Sequence, residues 1–496
     1  MRIISSIICR PRKFYFLAAG LIFTLLADRP ATASPPAMAA TSGASLPSTN
    51  GAASNGFFTG IARRDTLLGD MWGLRPWLSK YGMTLSILET SEVLGNVSGG
   101  VKQGAAYDGL TQAALQLETE RAFGWYGGTF NVSALQIHGN NLSMENLDTL
   151  QTASGIESDR ATRLWELWYD QKFLEEDRLD IKVGQQSLDQ EFMVSDNALL
   201  FVNTMFGWPM VPSADMPGGG PAYPLSALGL RVQARPIDSL TFLAGIFNGS
   251  PASNNNGDPQ KINSSGASFP VNGGVLAIAE VQYSYPSVGS MVSGNDSSAL
   301  SGKYKLGFWY DSENFDDEEY DNTGVLLANT AGSTGIPRSH QGNYAIYAVA
   351  DQMIWNDPND EDSDRSINVF ARAMGTPLDD RNLVDFSLNA GFTFHEPFKG
   401  RDDDTAGIGM GYTRVSDRVA DFDRDSNFYS GTPGPIQGGE TFVEATYQYQ
   451  LTPWCQLQPD FQYVFNPGGG VADPNSATGQ RIKDEAVFGI RMNLTF

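Results

Sequence analysis

Eight side chains equipped to hold a small polar molecule recur at alternate positions inside short apolar–polar segments: Glu118, Glu166, Trp168, Asp170, Arg231, Arg235, Arg372 and Glu444. Lys182, Gln233, Gln458 and Arg491 share that parity. Carboxylates and guanidinium forks bond hydroxyls that both donate and accept, and an indole ring covers an apolar C–H face. The set suits a neutral polyhydroxylated molecule moving past it. Nucleophilic or metal chemistry is poorly served. The three histidines, His138, His340 and His395, stand in no nucleophile motif, and two cysteines, Cys9 and Cys455, are too few for a metal cluster. Catalysis, a metal and a cofactor are therefore not expected. The acidic runs Asp316 to Glu319, Asp357 to Asp364 and Asp421 to Asp425 lack the glycine and closing glutamate of a helix–loop–helix calcium site. They read as solvated loops, with weak divalent-cation binding beside lipopolysaccharide as the alternative.

The elements that must position these residues are strands. Leu179, Ile181 and Val183 alternate with Asp180, Lys182 and Gly184. Val384, Phe386, Leu388, Ala390, Phe392 and Phe394 alternate with Asp385, Ser387, Asn389, Gly391 and Thr393. The chain ends with Phe488, Ile490, Met492, Leu494 and Phe496 set against Val487, Gly489, Arg491, Asn493 and Thr495. Strands of a soluble sandwich are typically ~5 to 6 residues long. Segments of about ten residues with one wholly apolar and one polar face fit a transmembrane antiparallel β-barrel, lipid outside and water inside. Such segments fall near 84–94, 113–121, 128–138, 163–171, 179–186, 228–235, 240–248, 275–285, 303–311, 343–353, 366–374, 384–394, 406–415, 441–450, 454–464 and 486–496. They number sixteen, an even count that returns both chain ends to one side of a membrane. The short connections 122–127, 172–178, 236–239 and 451–453 alternate with the long ones 139–162, 187–227, 249–274, 312–342 and 416–440, as periplasmic turns and outer loops would. The connection 286–302 is too long for its place among the turns.

Composition supports an exported barrel. Lys and Arg number 33 against 56 Asp and Glu, a formal net charge of −23, and a surface so acidic argues against a nucleic-acid partner. With 41% hydrophobic residues, 18% charged residues and 53 Gly, the chain is neither a disordered acidic segment nor a helical bundle. Arg2, Arg10, Arg12 and Lys13 precede an apolar run from Phe14 to Leu26, and Ala31-Thr32-Ala33 offers the small residues a signal peptidase reads. Residues 1–33 are thus expected to be an export signal. No stretch approaches the ~20 apolar residues of a spanning helix, so entry into a membrane would be by strands. Residues 34–56, uncharged and aperiodic, read as a disordered linker. Over 57–80, Phe57, Phe58, Ile61, Leu67, Leu68, Trp72, Leu74 and Trp77 recur at roughly helical spacing. That predicts a short N-terminal periplasmic helix, kinked at Pro76, beside a barrel formed by 81–496.

The longest connection, 187–227, carries Phe192, Phe201, Phe206, Trp208 and Tyr223 and the run Pro217-Gly218-Gly219-Gly220-Pro221. Leaving so many rings in water is costly. Folding the loop into the lumen would bury them and narrow the pore, whereas packing over the barrel top is the blander alternative. Glu166, Trp168 and Arg231, inward on the strands nearest that loop, are expected to help form the narrow level.

Several motifs together resemble a known family. They are Leu67-Leu68-Gly69-Asp70-Met71-Trp72-Gly73-Leu74-Arg75-Pro76, Leu164-Trp165-Glu166-Leu167-Trp168-Tyr169-Asp170-Gln171 and Ile181-Lys182-Val183-Gly184-Gln185-Gln186. Further on come Asp379-Asp380-Arg381-Asn382-Leu383-Val384-Asp385-Phe386, Gly400-Arg401-Asp402-Asp403-Asp404 and Gln456-Leu457-Gln458-Pro459-Asp460-Phe461-Gln462-Tyr463-Val464-Phe465-Asn466-Pro467. From about residue 60 to the C-terminus the chain is similar to the OprB family of carbohydrate-selective porins of Gram-negative outer membranes. The resemblance implies a sixteen-stranded barrel passing glucose and related sugars by diffusion. Its surroundings would be outer-membrane lipid, lipopolysaccharide and the barrel-assembly machinery. A general or cation-preferring diffusion porin is the runner-up, and a barrel enzyme the least favoured reading. The sequence leaves monomer and homo-oligomer both open.

Overall fold

In an antiparallel pair each strand satisfies its neighbour's main chain, and only closing the sheet leaves no unpaired edge in lipid. The computed structural model, which describes residues 61–253, 257–286, 300–357 and 365–496, closes in this way. Sixteen strands pair with their neighbours in sequence, and the last pairs with the first. They are β1 (Met83–Ser98), β2 (Gly104–Glu118), β3 (Gly128–Gly139), β4 (Ala161–Phe173), β5 (Leu179–Gln186), β6 (Ala227–Ile237), β7 (Leu240–Asn248) and β8 (Val275–Tyr285). There follow β9 (Gly302–Asp321), β10 (Pro337–Asn356), β11 (Ser366–Gly375), β12 (Val384–His395), β13 (Thr405–Val415), β14 (Gly439–Thr452), β15 (Cys455–Phe465) and β16 (Glu485–Thr495). Each matches an expected segment. The expected export signal and linker, Phe57 and Phe58, most of the connection 286–302 and most of the acidic run 357–364 lie outside the described residues.

Parity sorts the side chains as lipid requires. Phe242, Ile246, Leu306, Phe308, Ile346, Phe392, Ile408, Phe488 and Ile490 stand exposed on the outer wall. On the same strands Lys305, Asn343, Asp351, Asn389 and Arg491 are buried inward. Strands β9 and β10 run on beyond the apolar wall, and Asn314 still pairs with Gln341, Phe315 with His340 and Asp316 with Ser339. The expected strands stopped short here because the apolar alternation ends where the strands leave lipid, although main-chain pairing continues. For the same reason Asp316 to Glu319 is not a solvated loop. The Asp317 carboxylate lies 2.8 Å from the His340 imidazole, and Glu319 accepts from Arg418 at 2.5 Å. Asp321 folds the following loop around itself, accepting from the amides of Thr323, Val325 and Thr334 and from the hydroxyls of Thr323, Ser333 and Thr334. Asp421 to Asp425 lies on a short surface helix, Asp417–Ser430.

One barrel end carries the short turns, the first described residues and the end of β16. There Leu67 donates its amide to the Thr495 carbonyl at 2.8 Å, and Phe496 donates to the Ile87 carbonyl at 3.0 Å. Arg75 donates to the Phe496 carbonyl, so the N-terminal segment clasps the strand that closes the barrel. Between Leu67 and Lys80 the only helix is α1, Leu74–Ser79. Pro76 sits in its first turn, where a helix needs no N–H, so it causes no kink. Helical spacing of apolar residues was a weak guide here because a chain of turns can space them equally well.

The turn before β13 shows what the Gly400-to-Asp404 motif does. Arg401 grips Asp404 at 2.6 and 2.8 Å and donates to the Gln450 carbonyl at 2.8 Å. Its guanidinium lies 4.0 Å over the Tyr449 ring. Burial pulls the Asp404 carboxyl up, but bonds from Arg401, the Tyr447 hydroxyl and the Gln450 amide outweigh it and hold the group below the usual carboxylate range.

Candidate functional site

A wide, wet lumen would leave inward side chains to solvent. Here the loop 187–226 lies inside the barrel and makes a core with one side of its inner wall. Phe192, Phe206 and Trp208 are buried with Met205, Met210 and Met216 against Leu243, Phe247, Ile278, Trp309, Tyr347, Phe370 and Phe442 of the wall. Phe206 stacks on Phe201 at 4.4 Å and meets the rings of Phe442 and Phe370 edge-on at 5.3 and 5.8 Å. Tyr223 belongs to a second cluster with Trp165 and donates its hydroxyl to the Ile156 carbonyl at 3.0 Å.

Room for these rings comes from β13, whose inward face there is glycine alone. A Cβ at Gly407 would stand 2.6 Å from Leu200, and one at Gly409 the same distance from Phe206. Gly407, Gly409 and Gly411 thus form a trough for the loop. The alternation of glycine with Ile408 and Met410 is a sequence signal of an inserted loop that apolar periodicity alone does not register.

The wall's polar side chains hold this loop by its main chain. Arg372 donates to the carbonyls of Met193 and Gly207 at 2.8 Å each, of Phe206 at 3.1 Å and of Met205. Glu444 accepts from the amides of Val202 and Asn203 at 2.6 and 2.9 Å. Asp351 accepts from the Ser195 hydroxyl at 2.6 Å and the Asn197 amide at 3.2 Å. Glu280 takes the Met193 amide at 2.9 Å, Gln458 donates to the Leu200 carbonyl at 2.7 Å, and Glu166 accepts from the Ser187 amide at 3.1 Å. Glu440 similarly holds the amides of Leu150 and Gln151, at 2.8 and 2.7 Å, in the loop after β3. Main-chain groups taken out of water must find partners, and charged side chains supply the strongest ones.

On β4, β5 and β6 a different arrangement faces the lumen. Arg231 is wholly buried among three carboxylates: it bonds Asp180, lies 2.5 Å from Glu191 of the loop and 3.8 Å from Asp170. Lys182 pairs with the same Glu191 and sits 4.5 Å over the half-buried ring of Trp168. A glycine, Gly184, lets β5 pass beside that tryptophan, since a Cβ there would stand 2.6 Å from the Trp168 Cα. Ring, ammonium, guanidinium and carboxylates are thus assembled within one patch where the loop leaves β5.

The expected site residues therefore separate into three groups. Trp168, Asp170 and Arg231 come together in the ionic patch. Glu166, Arg372 and Glu444 face inward as expected but hold loop backbone. Glu118 and Arg235 sit at the short-turn rim: Glu118 pairs with Arg121 at 3.6 Å, and Arg235 donates to the Glu176 carbonyl at 2.6 Å. Parity fixes the face of a strand residue and not its depth, so these two shared the pattern without sharing the level. Arg491 is taken up by Glu92 at 2.7 Å and the Ser154 hydroxyl at 3.0 Å. Asp180 and Lys182 of the patch were marked by parity, whereas Glu191, on an aperiodic loop, carried no such mark. His340 and His395 lie at opposite ends of the barrel, and His138 faces outward.

Comparison with known proteins places this geometry. A family model described as "Carbohydrate-selective porin, OprB family" matches residues 102–496. Porin B of Pseudomonas aeruginosa is 26% identical over 442 residues, covering 85% of this chain and 91% of that protein. The putative porin QuiX of Acinetobacter baylyi is 23% identical over 456 residues, covering 87% and 93%. Among solved structures, the high-pH structure of Pseudomonas putida OprB superposes with a TM-score of 0.75 at 23% identity, covering 88% of this chain and 99% of that one.

Proposed function

Since the chain belongs to the OprB family of carbohydrate-selective porins, we propose that sugars cross it along the patch of Trp168, Asp170, Lys182 and Arg231, with the loop 187–226 setting the width. The protein is an outer-membrane carbohydrate porin, not an enzyme. The observation that carries the site reading is the Trp168 ring lying beside fixed charges of both signs at the loop's exit from β5. The ring takes the apolar face of a pyranose such as glucose while Asp170 accepts hydrogen bonds from its hydroxyls, and the buried Arg231 holds that carboxylate from behind. Such a bond is worth about 1.5 to 3 kcal/mol where water is excluded. In a hydrated channel it is worth less, which suits conduction, because a tightly held sugar would not leave. The glucose-sized monosaccharide is favoured over larger sugars because the loop fills one side of the lumen.

Sugar-induced noise of the ion current in planar bilayers tests this reading. Trp168→Ala should shorten the residence of glucose several-fold and erase the preference for glucose over a polyol of equal size. Parental residence times and selectivity would move the sugar path away from this patch. The acidic excess of the chain supports a secondary preference for cations, which the reversal potential in a salt gradient reads directly. Residues 1–33 serve as the cleaved export signal in this reading, 34–56 as a linker, and the terminal Phe496 as the end offered to the assembly machinery before the barrel meets lipid and lipopolysaccharide.

A further inference from the structure

Glu485, the first residue of β16, stands at the long-loop end of the barrel and is wholly buried, yet neither of its carboxylate oxygens has a hydrogen-bond partner. Its neighbour Glu440, equally buried, shows what such a group ordinarily receives: the amides of Leu150, Gln151 and Gly468 donate to it at 2.8, 2.7 and 2.7 Å. The charges that act on Glu485 are those of Glu440, Asp148 and Asp484, and all three are carboxylates. Bases of the surrounding loops are engaged elsewhere. Lys102 lies 3.9 Å from Glu145, and Arg481 donates to the Ile436 carbonyl at 2.9 Å. Burying a carboxylate with neither donor nor countercharge is among the most costly arrangements a protein can hold.

Three pieces of chain close over this acid. The turn between β1 and β2 comes down on it at Gly100: a Cβ there would stand 3.3 Å from Glu485 Oε1 and 2.5 Å from the Asn146 carbonyl, so only glycine brings the turn so near to both. Asn96 fastens that turn, donating to the carbonyls of Gly99 and Lys102 at 3.2 and 2.9 Å and accepting from the Asn146 side chain at 3.3 Å. Asn146 and Asp148 belong to the loop after β3, which Glu440 holds from its other side. The groups gathered here offer oxygen. Carboxylates on irregular loops suit a hard cation, and calcium accepts such sets at flexible geometry where magnesium demands a near-ideal octahedron. Among the described residues no three His, Cys, Asp or Glu side chains group as metal ligands, so carboxylates alone do not complete the shell, and loop carbonyls and water must share in it. We infer that Glu485 holds a calcium ion with both of its oxygens, Asp148 sharing the ion's charge. The cation ties the start of β16 to the β1–β2 turn and to the loop after β3. The seam between β16 and β1 is then fastened at both ends, by the Arg75 clasp beside the short turns and by the cation among the long loops.

Calcium binding to the purified protein, freed of lipopolysaccharide and stripped with a chelator, tests the inference. Equilibrium dialysis against micromolar calcium should find one ion more per chain in the parent than in Glu485→Gln, a substitution that keeps the shape of the side chain and removes its charge. The temperature at which the barrel loses its compact mobility on gels should fall when chelator is added to the parent and recover with calcium, whereas the Glu485→Gln barrel should respond to neither. Should Glu485→Gln not assemble, Asp148→Asn takes its place in both measurements, with calcium binding weakened several-fold. Calcium binding by the assembled variant equal to the parent's would assign the metal to the exposed acidic loops. Heat resistance of the parent that ignores the chelator would mean that Glu485 is buried as a neutral acid. Either result overturns the inference.

Discussion

At the scale of single residues, inward charge does two jobs that look alike in sequence. Arg231 and Arg372 are both buried, inward arginines of apolar–polar strands. The first is bound by carboxylates beside the proposed sugar path, whereas the second bonds four loop carbonyls. Arg372→Leu removes a donor from all four. An orphaned buried carbonyl costs about 1 to 3 kcal/mol, and lumen water recovers part of that, so the loop should loosen without unfolding the barrel. Single-channel recordings of the Leu variant are expected to show higher mean conductance with frequent sub-states, while Arg372→Lys, which restores fewer donors, falls between. A quiet parental trace would mean the aromatic core alone holds the loop. The parity that revealed both arginines carried no information about what stood opposite them. Tenants of the lumen come from loops, and loops have no period.

At the scale of elements, strands were legible because lipid and water impose opposite demands on successive side chains over a whole span. The inserted loop was legible from composition, since its rings need burial. Its contact with β13 was not, because apolar alternation gives glycine no weight. That contact makes a direct prediction. Gly409→Leu places a side chain where Phe206 and Phe201 now lie, with even its first carbon 2.6 Å from Phe206. The strand cannot give way without losing its ladder to β12 and β14, so the loop must move. Conductance should rise and sugars larger than glucose should enter liposomes, with assembly preserved. Parental exclusion of larger sugars in an assembled variant would place the limiting width somewhere other than at this stack.

At the scale of the whole molecule, closure depends on β16 meeting β1 and on the clasp made by Arg75, Leu67 and Phe496 at that seam. Export, proposed to rest on residues 1–33, should not depend on it. Deleting Phe496 should leave the chain exported but lower the yield of barrel that resists heat in detergent by several-fold, which gel mobility with and without heating measures. A deletion that assembles as well as the parent would show that Leu494 and the rest of the apolar face of β16 suffice. The grip on the inserted loop has a consequence of another kind. Arg372, Glu444, Asp351 and Glu280 take hold of peptide groups, which every amino acid supplies alike. Mutation can therefore exchange the loop's lumen-facing side chains without disturbing where the loop lies, and a lineage of such channels could change its preferred nutrient by small steps, none of which requires rebuilding the pore.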